Sequence, residues 1–417
     1  MKGKKKFFVL LQTVLMFSIM VFSSCQQLED LLNPEEKGGL GDSIWVHHNP
    51  QNAILDAKAI AIGLDGSIYY SAYTTSGQMY IYAVNKSDGN LKWRSQALAN
   101  RQTNSNLVIG DNGNIYVTSY TKLYSINSAT GNIDWTWEVP QTLSDGNGNS
   151  LYSYGELGPL ALSNAGELIT KTTGSGSYYR ALFCIGTNGT IKWYRFIGSE
   201  LNPISVGADG TIFDFEHDSN GTVLTATNKN TGGLKWSISA DGNAASSQNN
   251  ILIADNGDVI TLITTDNLVR INPATHTTVW KTAAGTYQDY KYMDGFGNII
   301  LFDQFSGSYL YSSSNGKLTN SGLPLPHLIA IDSKNHLYGV LNDGNAHLSV
   351  TDETGKIIWE NETGIYNGTA AISTEDNIVY VSIASGILAL KTDATMAQSG
   401  WPRFSHDTRN TFNVNKW

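Results

Sequence analysis

The residues of this 417-residue chain that could do chemistry are few and badly spaced for it. Its eight histidines, His47, His48, His217, His276, His327, His336, His347 and His406, are scattered. No pair shows the spacing of a helical or finger-type metal site. The densest group, Glu216-His217-Asp218, reads as the polar end of a hairpin. Cys184 lies in the apolar run Ala181-Leu182-Phe183-Cys184-Ile185 and reads as a small buried hydrophobe. There is no Cys-x-x-Cys-His haem site. Nor is there a Gly-x-Ser-x-Gly elbow, a Walker loop or a dinucleotide-type glycine turn. The sequence assigns no catalytic residue and no metal ligand.

Binding is a better prospect than catalysis. The segment 141–158 contains Asp145-Gly146-Asn147-Gly148-Asn149-Ser150, then Tyr152, Tyr154 and Glu156. A long polar loop on a rigid scaffold is where function concentrates. Tyrosine faces beside a carboxylate could stack on a sugar or hold a peptide. Tyr287, Tyr290 and Tyr292 form a second candidate patch.

The elements that would position these residues are repeats. One phrase recurs about every forty residues: Ser87-Asp88-Gly89-Asn90-Leu91-Lys92-Trp93, Ala129-Thr130-Gly131-Asn132-Ile133-Asp134-Trp135, and further copies ending at Trp193, Trp236 and Trp359. Two worn copies end at Trp280 and Asn320. A second landmark, a tight turn before a strand, occurs eight times. Gly66, Gly113, Gly166, Gly210, Gly257 and Gly297 fill the turn slot, then Asn335 and Asp376; all three residue types tolerate positive φ. Between the landmarks, runs such as Ile115-Tyr116-Val117-Thr118-Ser119 and Leu123-Tyr124-Ser125-Ile126-Asn127 read as strands, and Thr130-Gly131-Asn132 as a hairpin turn. Four strands per unit of this length predict an all-β fold, a β-propeller of four-stranded antiparallel blades. Eight blades are expected, with seven the alternative. Trp45 and Trp401 each fall one period outside the series. The strand carrying Trp45 is expected to pair with the last strands and close the ring, which also removes exposed edges. Trp93, Trp135, Trp193, Trp236, Trp280 and Trp359 are expected between blades. A Trp buries roughly 150–250 Å², about 4–6 kcal/mol of gross burial as an upper bound.

The phrase Ala129–Trp135, after Leu123-Tyr124-Ser125-Ile126-Asn127, resembles the tryptophan-docking repeat of quinoprotein-type, or PQQ-like, β-propellers. The resemblance covers about residues 56–393. His276 and Thr278 depart from it in the fifth unit and Asn320 in the sixth, so these blades are expected to be irregular. The tail Gly400-Trp401-Pro402-Arg403-Phe404-Ser405-His406-Asp407 resembles a terminal motif of such lipoproteins. Redox members of the family hold PQQ and Ca²⁺ on the ring axis. This chain lacks the adjacent Cys pair many of them carry and any electron-transfer module, so neither PQQ nor calcium is expected. The resemblance implies a non-catalytic scaffold; a PQQ-dependent dehydrogenase and a surface glycan-binding protein are the alternatives.

Residues 1–24 have the outline of a signal peptide, with Lys2, Lys4, Lys5 and Lys6 before an apolar stretch from Phe7 to Phe22. Val21-Phe22-Ser23-Ser24-Cys25 resembles a bacterial lipobox, which makes Cys25 the lipid-bearing residue and residues 25–41 a flexible tether. A single propeller domain over 42–417 is expected to follow. Outer-membrane attachment, on the cell surface or the periplasmic face, is the expected location. The net charge is −9, and loss of residues 1–24 leaves −13. Such an acidic chain is not a nucleic-acid binder. The partners expected are the membrane, through the lipid, and a protein or a glycan; the ring itself is expected to be monomeric.

Overall fold

Each repeat folds into the four strands its alternation dictates. The computed structural model describes residues 39–416, except 51–52, 56–59, 100–106, 145–149, 153–154, 173–179, 199–201, 219–220, 241–248, 265, 285–290, 304–306, 324–327, 343–345, 363–368 and 384–385. No helix occurs among the described residues. Eight antiparallel blades form a ring, a β-propeller. Blade two is typical: Leu107–Ile109 innermost, then Ile115–Ser119, Lys122–Ile126 and Ile133–Glu138 outermost. Blades five and six keep the same order despite their worn phrases. Blade one carries an extra inner strand, Ala53–Leu55, on the far end of Ile68–Thr74.

The last blade closes the ring. Ala370–Ile372, Ile378–Ile383 and Gly386–Lys391 come from the C-terminal part, and the outer strand is Ser43–His48 from the N-terminal part. Trp45, not Trp401, therefore takes the eighth Trp position.

The two ends of the ring differ. One, the turn end, bears the tight turns. Gly66, Gly113, Gly166, Gly210, Gly257 and Gly297 all have φ between 76° and 86°, with Asn335 at 62°. The eighth slot falls on Asn377 (φ 51°) rather than Asp376, one residue later than the pattern suggested. The opposite, loop end carries the connections between blades. The core lies between consecutive blades. At the first seam, Ala61, Tyr69, Ile81 and Ala83 meet Leu107, Ile109, Ile115 and Val117.

Candidate functional site

The tryptophans sit on the blade seams, each indole against the hairpin turn of the next blade. A Cβ on Gly131 would lie 2.5 Å from Trp93 Cε3, and the Trp93 Nε1–H donates to the Ser128 carbonyl at 2.9 Å. Trp45 meets Gly89, Trp135 meets Gly189, Trp193 meets Gly232, Trp280 meets Gly316 and Trp359 meets Gly41 in the same way. Trp135, Trp193 and Trp280 likewise donate to Thr187, Lys229 and Ser313. The two departures keep the scheme. Trp236 packs on the ring of His276, whose φ of 60° stands in for glycine. Asn320 supplies only the hydrogen bond, Nδ2 to the Glu353 carbonyl at 3.3 Å. The indoles are half-buried or buried at the rim, so each seam gains less than the full burial of a Trp.

The segment singled out for binding forms a hairpin, Thr142–Ser144 with Ser150–Tyr152, at the loop end, with Leu143 buried against Trp137 and Leu160. The Tyr194 hydroxyl donates to Ser144 O at 2.9 Å and ties it to blade three. Of Tyr152 only the backbone is described, opposite Thr142; Tyr154 lies outside the described residues, and Glu156 is half-buried. Tyr287 and Tyr290 also lie outside them. Tyr292 is not on the surface: it is buried, with its hydroxyl on Leu328 O at 2.7 Å.

The polar clusters are structural. Glu216 turns away from His217 and takes a bidentate contact from Arg195, with Thr225 on the same carboxylate. Beside it Lys171 Nζ lies 2.6 Å from Asp214 Oδ1, both fully buried between blades three and four, with Asn202 Oδ1 at 3.0 Å from the ammonium. Burial, and then the nearby Glu216, push the Asp214 carboxyl up to about 7, against the pull of Lys171. Asp332, His336 and Asp393 bring three ligand-type atoms within 4.8 Å of one another. Asp332 is already satisfied: Oδ1 accepts the amides of Lys334 and His336, and Oδ2 the Tyr338 hydroxyl and His336 Nδ1. The cluster is a hydrogen-bonded turn. Cys184 is fully buried, and that burial pushes its thiol up to about 12, out of reach of nucleophilic use.

The most specific assembly of buried polar groups is on the ring axis, at the turn end. Beyond the last blade the chain does not leave the ring; it crosses the channel mouth. Innermost strands are edge strands with unpaired amides facing the axis. In six blades the amide of the last inner-strand residue donates to a tail carbonyl: Ile62 to Thr408, Ile109 to Arg409, Leu162 to Thr411, Val206 to Phe412, Met293 to Trp401 and Ile331 to Pro402, at 2.9–3.0 Å. Asn250 of blade five reaches Phe404 O at 3.5 Å, and Ser373 O of blade eight accepts the Met396 amide at 2.9 Å. Residues 400–413 are buried except the half-buried Phe404. Gly400 (φ 77°) is obligatory, since a Cβ there would lie 2.5 Å or less from two backbone carbonyl oxygens of blade six. Asp407 organises the turn, its Oδ1 accepting the amides of Arg409 and Thr411 and its Oδ2 the Thr411 hydroxyl. This plug was not foreseen. Its one sequence signal is a run rich in Asn, Thr and Arg, with interspersed aromatics, continuing well past the last repeat.

The comparisons with known proteins bear on this ring. Residues 77–152 match the family described as outer membrane protein assembly factor BamB. The crystal structure of BamB from Moraxella catarrhalis superposes with a TM-score of 0.53 at 14% identity, over 85% of this chain and 98% of that one. The fold is that of a PQQ-like β-propeller. No curated protein matches the sequence. At that identity the likeness speaks for the architecture alone. For PQQ-like propellers the axis raises the question of the cofactor. Holding PQQ with calcium at the turn end would need an open axis with free carboxylates. Trp401, His406 and Phe412 fill the axis there, and Asp407 uses both oxygens within the tail. At that end the residues do not fit the group.

Proposed function

We propose that this protein is a non-catalytic scaffold of the bacterial outer membrane, anchored by lipid on Cys25 and binding a protein partner across its loop end. The observation that carries this reading is the match of residues 77–152 to the assembly-factor family, on a ring of BamB architecture. It is supported by the axis, filled at the turn end by the chain's own residues rather than prepared for a cofactor. The additional hairpin at Thr142–Ser144 and Ser150–Tyr152 gives the loop end a feature that a partner can grip. Residues 1–24 then serve as the signal peptide and residues 25–41 as tether, although Gly41 already packs under Trp359.

Three measurements test the reading. Cys25→Ala should release the protein from membranes; unchanged membrane association would rule out the anchor. In cells, a photo-crosslinking residue at Glu156, on the loop end, should give a discrete adduct, and one at Leu64, on the turn end, none. Adducts from Leu64 alone, or from neither, would overturn partner binding at the loop end. Deletion of the gene should lower the β-barrel content of the outer-membrane fraction, and unchanged content would count against an assembly role.

A further inference from the structure

We propose that the turn end of the ring axis is a peptide-binding site, and that residues 399–416 are its resident ligand, held in cis and exchangeable for a segment of the same chemistry. The site is built by the ring. Six inner strands offer the amide of the same residue position, the last of the strand, toward the axis. Six converging donors recognise backbone carbonyls, as an exposed sheet edge recognises an added strand. The fit is completed by side chains that read the backbone of the ring in return. Asn410 Nδ2 donates to Ile60 O at 3.2 Å and Leu107 O at 2.9 Å, bridging blades one and two. Asn413 Nδ2 donates to Leu162 O at 2.7 Å and Asn164 Oδ1 at 3.0 Å in blade three. Arg403 donates to Ile60 O at 3.1 Å.

The tail takes a ligand's conformation rather than that of a blade. It makes no ladder of its own; its only bridges are single residue pairs such as Val206 with Asn413 and Met293 with Trp401. His406 (φ 79°), Asn410 (φ 61°) and Phe412 (φ 52°) lie in the left-handed region, which a bulky residue such as Phe adopts only under constraint. Those reversals let carbonyls 408, 409, 411 and 412 address four successive blades. Phe412 and Trp401 bury their rings in the core of blades three to six, as anchor residues do. The tail joins the last blade through Gln398, which is exposed.

The experiment keeps the full chain. A protease-recognition sequence is inserted between Gln398 and Ser399, and the purified protein is cleaved. The severed tail should co-elute with the ring in gel filtration. Fluorescent synthetic peptide 399–417 should replace it saturably. The same peptide carrying Asn410→Ala and Asn413→Ala should compete at least ~10-fold more weakly, because it leaves buried carbonyls unpaired. Release of the tail from a ring that stays folded, or equal competition by the doubly substituted peptide, would overturn the proposal. If the cleaved ring aggregates, amide exchange on the uncut Asn410→Ala/Asn413→Ala chain decides. Segments ending at Ile62, Ile109, Leu162 and Val206 should exchange at least ~10-fold faster, while the middle strands of those blades do not change. Unchanged exchange at those four sites sinks the idea.

Discussion

Gly131 is the seat of Trp93. The indole edge of the first blade occupies the space that any side chain at residue 131 would need, 2.5 Å from an added Cβ, and φ there is 74°. Gly131→Ala therefore meets two penalties, a left-handed backbone and an overpacked contact. It should cost about 2–4 kcal/mol. Trp93→Ala leaves the turn intact but empties the seam. At half burial it should cost about 2–3 kcal/mol, below the range for a fully buried aromatic. Urea denaturation of both variants checks this; a change below about 1 kcal/mol in either means that the contact does not hold the seam.

The sixth seam offers the converse experiment. Asn320 makes the hydrogen bond to Glu353 O but brings no indole over the next turn. Asn320→Trp should restore the missing contact and stabilise the ring by about 1 kcal/mol. A higher melting midpoint than the parent is the expected result, and a lower one would show that blade seven has no room above Gly355.

The Lys171–Asp214 pair lies between blades with no access to water. Removing Lys171 leaves the buried Asp214 carboxyl without its partner, so that it must stay charged and unpaired or take up a proton, and Lys171→Met should cost about 3–5 kcal/mol. Lys171→Met with Asp214→Leu removes both charges and should recover most of that loss, since desolvation offsets much of a buried pair's attraction. Equilibrium unfolding of the single and double variants gives the answer. Equal losses in the two would mean that packing, not charge, dominates the site.

His47 gives the closing strand a pH dependence. Its Nδ1–H donates to Gly89 O at 2.8 Å, and its Nε2 accepts the Tyr70 hydroxyl at 2.9 Å. Burial lowers its pKa below 6.5, and His48 lowers it further, while the bond to Gly89 opposes them. The unfolded chain therefore takes up a proton at a pH where the folded chain has not. This contribution to stability is complete above about 6.5 and is lost as the pH falls through and below that value. Unfolding free energies at pH 7.5 and 5.5 should differ less for His47→Gln than for the parent. The same difference in both would remove His47 as the cause.

Much of the ring was legible because each blade repeats one physical problem. Alternation marked the strands, and the turn residues marked blade starts, down to Asn335 in place of glycine. Eight blades followed from counting those turns, and closure by the strand of Trp45 was expected from its place one period before the first phrase. Blades five and six keep the four-strand order, because His276 adopts the left-handed turn and Asn320 keeps the hydrogen bond, and their expected irregularity is confined to register, with added shifts at Leu262/Thr264 and Ser308/Tyr309. Pattern reasoning weighs residue identity, whereas the seam needs only a tolerated φ and a donor. The axial plug was illegible for a different reason. Its partners are single amides spread over nearly the whole chain, from Ile62 to Ile331, and nothing local in 400–413 encodes them. Tyr292 misled because a tyrosine at a loop boundary reads the same whether its hydroxyl meets solvent or Leu328 O.

Closure by the first strand also sets a posture. Ser43–His48 runs antiparallel to Gly386–Lys391, with Ser43 opposite Leu390 and His48 opposite Gly386. The chain thus enters the ring at the plugged end, where Gly41 bonds to Lys391. An anchor at Cys25, as proposed, would tether the bilayer to that end of the ring. The hairpin of Thr142–Ser144 and the connections between blades would then face away from the lipid, the ring serving as a pedestal that presents its rim to whatever approaches across the compartment.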